Sequence, residues 1–357
     1  MVSESNLHNI SWLSGDRPYQ FFGPCSAESY DQLRTTATGI KEHFPNTIFR
    51  AGIWKPRTRP NTFEGVGEEG LKWLVDIREE FGFKVTTEVA SPAHVEACLK
   101  AGIDVLWIGA RTTVNPFSVQ AIADALEGAD IPVFVKNPLN PDVSLWSGAV
   151  ERIAKAGISK MGAIHRGFHL ADNKPYRNAP AWDLAVQFKT DNPEIPLICD
   201  VSHITGSPGL IPHVAQRVLD LDMDGLMIET HCNPDKALSD ASQQVTPAHL
   251  KLLWDNLVFK SADIKNKEFQ NQLETLRSKI DRIDDSIVEL LAQRMNISEE
   301  IGVYKKQNKV TILQVQRWQE ILERTLKSGK AMNLSEKFIS TLYHSIHEES
   351  IDKQTNS

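Results

Sequence analysis

Along its first 260 residues the chain alternates short runs rich in β-branched and aromatic residues with longer stretches of helical period. The runs QFFGPC (20–25), TIFRAG (47–52), KVTTEV (84–89), VLWIGA (105–110), PVFVKN (132–137), KMGAIHR (160–166), LICDVS (197–202) and GLMIET (225–230) read as strands. Amphipathic segments such as EEGLKWLVDIREEFG (68–82), SPAHVEACLKAG (91–102) and PHVAQRVLDLD (212–222) fall between them. Strand–helix alternation implies right-handed crossovers and a parallel sheet. Eight units in about 250 residues predict an α/β fold closed as a (β/α)8 TIM barrel; an open doubly wound sheet, the alternative, usually has fewer strands.

Past residue 262 the strands stop. Residues 266–308 carry Leu273, Leu276, Ile280, Ile283, Ile287, Leu290, Leu291, Ile297 and Ile301 in one helical stripe, with no interior proline. At about 1.5 Å per residue, some forty residues make a rod of roughly 60 Å, which overhangs a domain of this size. A second copy of the same helix is the economical partner, so a homodimer through these helices is expected, with higher oligomers open. Two shorter helices follow, near 312–328 and 334–353, with Gly329 expected to break them apart. The domains expected are therefore 1–262 and 263–357. No Gly/Ser-rich linker separates them, which predicts domains held close rather than loosely tethered.

Composition narrows the function classes. The 357 residues are 41% hydrophobic and 24% charged, with a formal net charge of -7, which argues against a nucleic-acid partner while permitting local basic pockets. Four cysteines, at 25, 98, 199 and 232, have no CxxC spacing and suit a reducing compartment rather than a disulfide framework. The amino terminus MVSESNLHNI has no basic region followed by an apolar run, and no stretch approaches the roughly 18–20 apolar residues of a membrane span. A cytoplasmic protein with no membrane partner is expected.

Polar residues recur where the predicted strands end, the face on which barrels of this kind build their sites. Cys25 closes the first strand, Lys55 follows the second, Arg111 the fourth, Lys136 ends the fifth, Arg166 the sixth, His203 follows the seventh, and Glu229 and His231 the eighth. Any one of these could be a salt bridge; so many charges at one mouth call for a charged ligand. Arg50, Lys55, Arg57, Arg111, Lys136 and Arg166 suit phosphate and carboxylate groups. Cys25, His203, Glu229 and Asp240 offer a thiolate, an imidazole and two carboxylates to a divalent ion, manganese, iron, cobalt or zinc, with His231 and Cys232 as competing ligands. A nucleophilic role for Cys25 lacks an adjacent base, and Cys98 and Cys199 read as core. Residues 65–70, GVGEEG, match GxGxxG literally but follow a polar loop rather than a strand, so a dinucleotide site is not expected.

The motifs GPCSAES, RAGIWKPRTRP (50–60), WIGART (107–112), VKNP (135–138), GAIHRG (162–167), DVSHITG (200–206) and IETHCNPDKALSD (228–240) together resemble the type I beta 3-deoxy-D-arabino-heptulosonate 7-phosphate (DAHP) synthases, relatives of the 3-deoxy-octulosonate 8-phosphate synthases. The resemblance implies condensation of phosphoenolpyruvate with erythrose 4-phosphate. It implies Cys25, His203, Glu229 and Asp240 as ligands of a divalent ion, manganese foremost. Arg50, Lys55, Arg111, Lys136 and Arg166 would hold phosphoenolpyruvate, with Lys55 as proton donor, and Arg57 and Thr58 the phosphate of the aldose. KPRT at 55–58 stands where the octulosonate branch usually carries a KANR-type segment. With the first strand near residue 20, no regulatory domain is expected ahead of the barrel.

The tail, LRSKIDRIDDSIVELLAQRMNISEEIGVYK (276–305) through Arg317 to EESIDKQ (348–354), is similar to the AroQ-type all-helical chorismate mutases. That similarity implies Arg277, Arg294, Lys305, Arg317, Ser350 and Gln354 as the residues acting on chorismate. Helical phase agrees for two of them: Arg294 and Lys305 are only about 20° apart, whereas Arg277 is about 100° away and points to a partner's pocket. The family's acidic positions around Arg317 are here Gln314 and Trp318. The competing expectation is an octulosonate-type barrel whose helices only dimerise or sense prephenate.

Overall fold

The computed structural model describes residues 12–13, 16–55, 62–171, 173–260 and 267–357. Two compact units divide the chain, Met1–Ala262 and Asp263–Ser357. In the first, β1 (Tyr19–Gly23), β2 (Ile48–Arg50), β3 (Lys84–Val89), β4 (Val105–Ile108), β5 (Val133–Lys136), β6 (Met161–His165), β7 (Leu197–Asp200) and β8 (Gly225–Glu229) pair in parallel in sequence order. β1 also pairs with β8, Tyr19 opposite Gly225 through Gly23 opposite Glu229, which closes the barrel. Seven of the strands lie within the runs expected of them, trimmed by up to three residues, and β1 begins one residue earlier than its run, at Tyr19. The largest trim is at β2, where Ala51 and Gly52 leave the sheet and Gly52 bridges to Ser26 instead.

Alternation along the strands sorts the side chains. Tyr19, Phe21, Ile48, Trp107, Phe134, Ile164, Ile198 and Met227 form one buried cluster, against which Leu13 and Trp12 pack. Their neighbours of opposite parity, among them Phe22, Phe49, Ile108, Val135, Ala163, Cys199 and Ile228, join the larger core beneath the helices. Two residues on from an inward side chain is again inward. Hence Ile48 leads to Arg50, Phe134 to Lys136, Ile198 to Asp200 and Met227 to Glu229, all gathered at the carboxyl ends.

Gly23 has the same parity and must be glycine. Its φ is +146°, and a Cβ there would run into the Arg50 carbonyl oxygen. Gly23→Ala is expected to destabilise the barrel by about 2–3 kcal/mol and to displace Arg50, measured as a shift in the denaturation midpoint.

The second unit is three helices, Lys267–Gln307, Val315–Ala331 and Glu336–Asn356. Gly329 does not break the chain as expected. It lies within the second helix, buried, because a bare Cα there lets Ile339 of the third helix approach. The actual break is at Met332–Ser335, with Asn333 at φ +61° and Ser335 capping the third helix on Phe338. Along the long helix Leu276, Ile280, Ile283, Ile287, Leu290 and Ile297 are all exposed, several by more than half. No described helix is long and apolar enough to cross a membrane.

Candidate active sites

At the barrel mouth Cys25 is 1% exposed, its backbone N–H donating to the Gln244 side chain at 2.9 Å. Its Sγ and carboxylate oxygens of Glu229 and Asp240 lie within 4.8 Å of one another. His203 stands 3.8 Å from an oxygen of each carboxylate, through Nδ1 toward Glu229 and Nε2 toward Asp240. Asp240 adopts φ +47°, a left-handed conformation that aspartate tolerates, as the chain turns back over the mouth.

These groups could hold a cation. Burial, Glu229 and Asp240 together push the Cys25 thiol up to about 12, outweighing Lys55, whose Nζ is 3.1 Å from Sγ. Burial also works against ionised Glu229 and Asp240, but His203 and Arg50 hold Glu229 below its ordinary value, and His203 and Arg177 do the same for Asp240. A divalent ion among these groups would offset the two ionised carboxylates and favour the thiolate form of Cys25. The mixed sulfur, nitrogen and oxygen donors fit such an ion.

The cations expected to hold substrate fall into two groups. Arg50 is 1% exposed; its guanidinium donates to Glu229 at 2.7 Å and to the Pro24 carbonyl, and lies over the Trp107 ring. Its charge is spent beneath the site, on Glu229, a member of the Cys25–Glu229–Asp240 cluster. Lys136 is also buried, 2.7 Å from Asp200 and over the same indole ring. Arg111, Lys136, Arg166, His203 and Asp240 line one small cavity of about 70 Å³, joined by Glu88 and Arg177. Burial draws Arg166 down to about 10, and its Nη1 donates to Asn178 at 2.7 Å. Lys55 stays on the Cys25 side, donating to the Cys25 carbonyl at 2.5 Å. Arg57 and Thr58 lie outside the described residues.

Several participants escaped sequence reasoning. Asp200 receives Lys136 and His203 Nδ1 (2.9 Å) on the same oxygen, Oδ2, while its Oδ1 accepts the His203 backbone N–H; His203 and Lys136 hold it well below its ordinary value despite burial. The motif DVSH places Asp and His three apart, which was the available signal. Arg177 reaches Asp240 at 3.1 Å from an irregular loop. Gln243 donates to Glu229 at 2.6 Å. His231 is buried 3.5 Å from Glu28, with Cys232 beside it, so neither is in the ligand cluster among the described residues.

In the helical unit a second cavity, of about 420 Å³, is lined by Arg294, Lys305, Arg317, Arg324, Ser350 and Gln354, with no acidic side chain among its lining residues. Arg294 donates to Ser350, and Lys305 to Gln354 at 2.9 Å and to the Ile312 carbonyl at 2.6 Å. Burial lowers both cations from their ordinary values. Arg317 pairs outward with Glu320 at 3.2 Å. Arg277 is not part of this cavity; it is exposed and pairs with Glu274 on its own helix.

Against known proteins, residues 2–261 match the family described as DAHP synthetase I, and residues 276–355 match chorismate mutase type II. A phospho-2-dehydro-3-deoxyheptonate aldolase of Thermotoga maritima is 30% identical over 224 residues, 62% of this chain and 64% of that protein. The chain thus spans less than two thirds of that relative's length. A 2-dehydro-3-deoxyphosphooctonate aldolase of Helicobacter pylori is 28% identical over 266 residues, 66% of this chain and 93% of that protein. A crystal structure of the heptonate aldolase (DAHP synthase) from Thermotoga maritima aligns with a TM-score of 0.58 at 26% identity, covering 66% of this chain and 67% of that one. The closed parallel barrel with its charged mouth, and the helical unit with its cation-lined cavity, belong to a chain of the DAHP synthetase I family that carries a fused chorismate mutase type II domain.

Proposed function

We propose that the barrel, residues 1–262, condenses phosphoenolpyruvate with erythrose 4-phosphate to DAHP and phosphate, and that the helical domain, 263–357, rearranges chorismate to prephenate. The observation that carries the first reading is the cavity where Arg111, Lys136, Arg166 and Arg177 converge next to Cys25, His203, Glu229 and Asp240. Lys136, Arg166 and Arg111 bind the phosphate and carboxylate of phosphoenolpyruvate while its C3 attacks the aldehyde, water adds at C2, and inorganic phosphate then leaves with C–O cleavage. Lys55, beside Cys25, is placed to give a proton to the alkoxide that forms. Cys25, His203, Glu229 and Asp240 would hold a divalent ion, manganese foremost, which would supply Lewis acidity at this point. Arg50 holds Glu229 ionised and in place.

For the helical domain, four cations (Arg294, Lys305, Arg317 and Arg324) and no acidic side chain among the cavity's lining residues support a dicarboxylate substrate. Arg294 fixes a carboxylate, and Lys305 with Gln354 stabilises charge developing on the ether oxygen. The exposed apolar stripe of the long helix supports a homodimer, with Arg277 completing the partner's cavity.

A second reading of the barrel, an octulosonate 8-phosphate synthase, is favoured by relatives such as the Helicobacter pylori enzyme. The two are separated by comparing erythrose 4-phosphate with arabinose 5-phosphate while following phosphoenolpyruvate consumption. The KPRT segment leads us to expect kcat/KM at least about tenfold higher for the four-carbon aldehyde. A higher value for the arabinose compound assigns the barrel to the octulosonate reaction.

A further inference from the structure

The helical cavity has a wall that the family resemblance does not supply. Trp318 of the second helix stacks flat on His347 of the third, with ring centroids 4.0 Å apart and planes within 9°, and His344 meets the same indole edge-on at 5.1 Å. Both Trp318 and His347 line the cavity with Arg294, Lys305, Ser350 and Gln354. His347, Ser350 and Gln354 recur at i, i+3 and i+7, so one face of the third helix presents all three. His347 Nε2 is buried and has no hydrogen-bond partner among the described residues. An orphaned nitrogen is costly, and here it borders a cavity built for an anion.

We propose that His347, held flat by Trp318, is a further substrate-binding group of this cavity, taking up a proton from solvent when a dicarboxylate enters and pairing with one of its carboxylates. The proposal rests on the mutase reading of the cavity and adds to it a group with its own pH signature.

The surroundings give the direction. From the long helix Arg294 and Lys305 face the ring, from the second helix Trp318 covers it with Arg317 and Arg324 lining the same cavity, and from its own helix His344 and Tyr343 lie one turn away. Burial first, then Arg294, His344 and Lys305, lower the affinity of His347 for a proton. Nothing acidic lines the cavity to oppose them. A dianionic ligand reverses that balance, so binding and proton uptake favour one another. At neutral pH the free imidazole is neutral and the liganded one charged.

The test compares the full-length protein with His347→Gln and with His347→Phe, which keeps the ring stack but not the nitrogen. The first readout is KM for chorismate between pH 6 and 8.5. The second is the number of protons taken up on binding a non-reacting bicyclic dicarboxylate analogue, from calorimetry in two buffers of different ionisation enthalpy. The original protein is expected to take up a fraction of a proton per site near pH 7, with KM rising about tenfold toward pH 8.5. Both variants are expected to take up none and to show a flat KM profile, with kcat changed far less. A pH profile and proton count unchanged in both variants overturns the role of His347 while leaving the mutase reading intact. Absence of both chorismate turnover and analogue binding in the original protein overturns the two together.

Discussion

Cys25→Ala is expected to lose the divalent ion from the barrel and, with it, more than about a hundredfold of the condensation activity. The thiol is the soft donor in a cluster otherwise made of two carboxylates, its Sγ within 4.8 Å of the Glu229 and Asp240 oxygens, with the His203 imidazole 3.8 Å from each carboxylate. Removing it leaves two carboxylates facing each other with their repulsion no longer shared among three ligands. Elemental analysis of the purified variant and steady-state turnover with added manganese are the two measurements. The fold should survive, since Gly52, just past the second strand, and Gln244 hold this segment through backbone contacts: the Gly52 N–H to the Cys25 carbonyl, the Ala27 N–H to the Gly52 carbonyl, and the Cys25 N–H to Gln244. Tightly bound metal and full turnover in Cys25→Ala would remove Cys25 from the ligand set.

Lys305→Ala and Arg277→Ala are each expected to silence the mutase as homodimers, at about 2–4 kcal/mol of lost transition-state stabilisation apiece. Lys305 sits inside the cavity on Gln354, whereas Arg277 lies outside it, exposed and paired with Glu274. If Arg277 serves the partner, co-refolded mixtures of the two variants regain function in about a quarter of all pockets, because each heterodimer has one pocket with both lesions and one with neither. Rates of chorismate loss in the mixture against each parent read the recovery. No recovery in a mixture shown to contain heterodimers would mean that Arg277 does not act across the dimer.

The barrel could be read from the sequence because its alternation was strong. Apolar runs such as VLWIGA and GLMIET, separated by helices of ordinary period, leave few other arrangements. Strand tips were less legible: Ala51 and Gly52 look like strand but turn away to meet Ser26, an interaction fixed only by the fold. The same distinction governs the site. Charges directly at strand ends, Lys136, Arg166 and Glu229, carry a positional signal. Arg177 comes from a loop with no period, and Asp200 has its role only once Lys136 and His203 meet it across the mouth. Arg50 was legible as a cation but not as the partner of Glu229, since the pairing joins the second strand to the eighth. Gly329 misled for a related reason: glycine signals a helix end by propensity, but close approach of Ile339 needs it mid-helix.

The closure of β1 onto β8 sets a schedule for synthesis. About 200 residues separate Tyr19 from its partner Gly225. At roughly 5–20 residues per second the first strand leaves the ribosome some 10–40 s before its last neighbour exists. Throughout that interval one of its edges is unpaired backbone, open to any other strand nearby. The helical unit needs no such wait: its helices are neighbours in sequence and their contacts are local. Made after β8, it folds only once all eight strands with which the barrel closes have been synthesised.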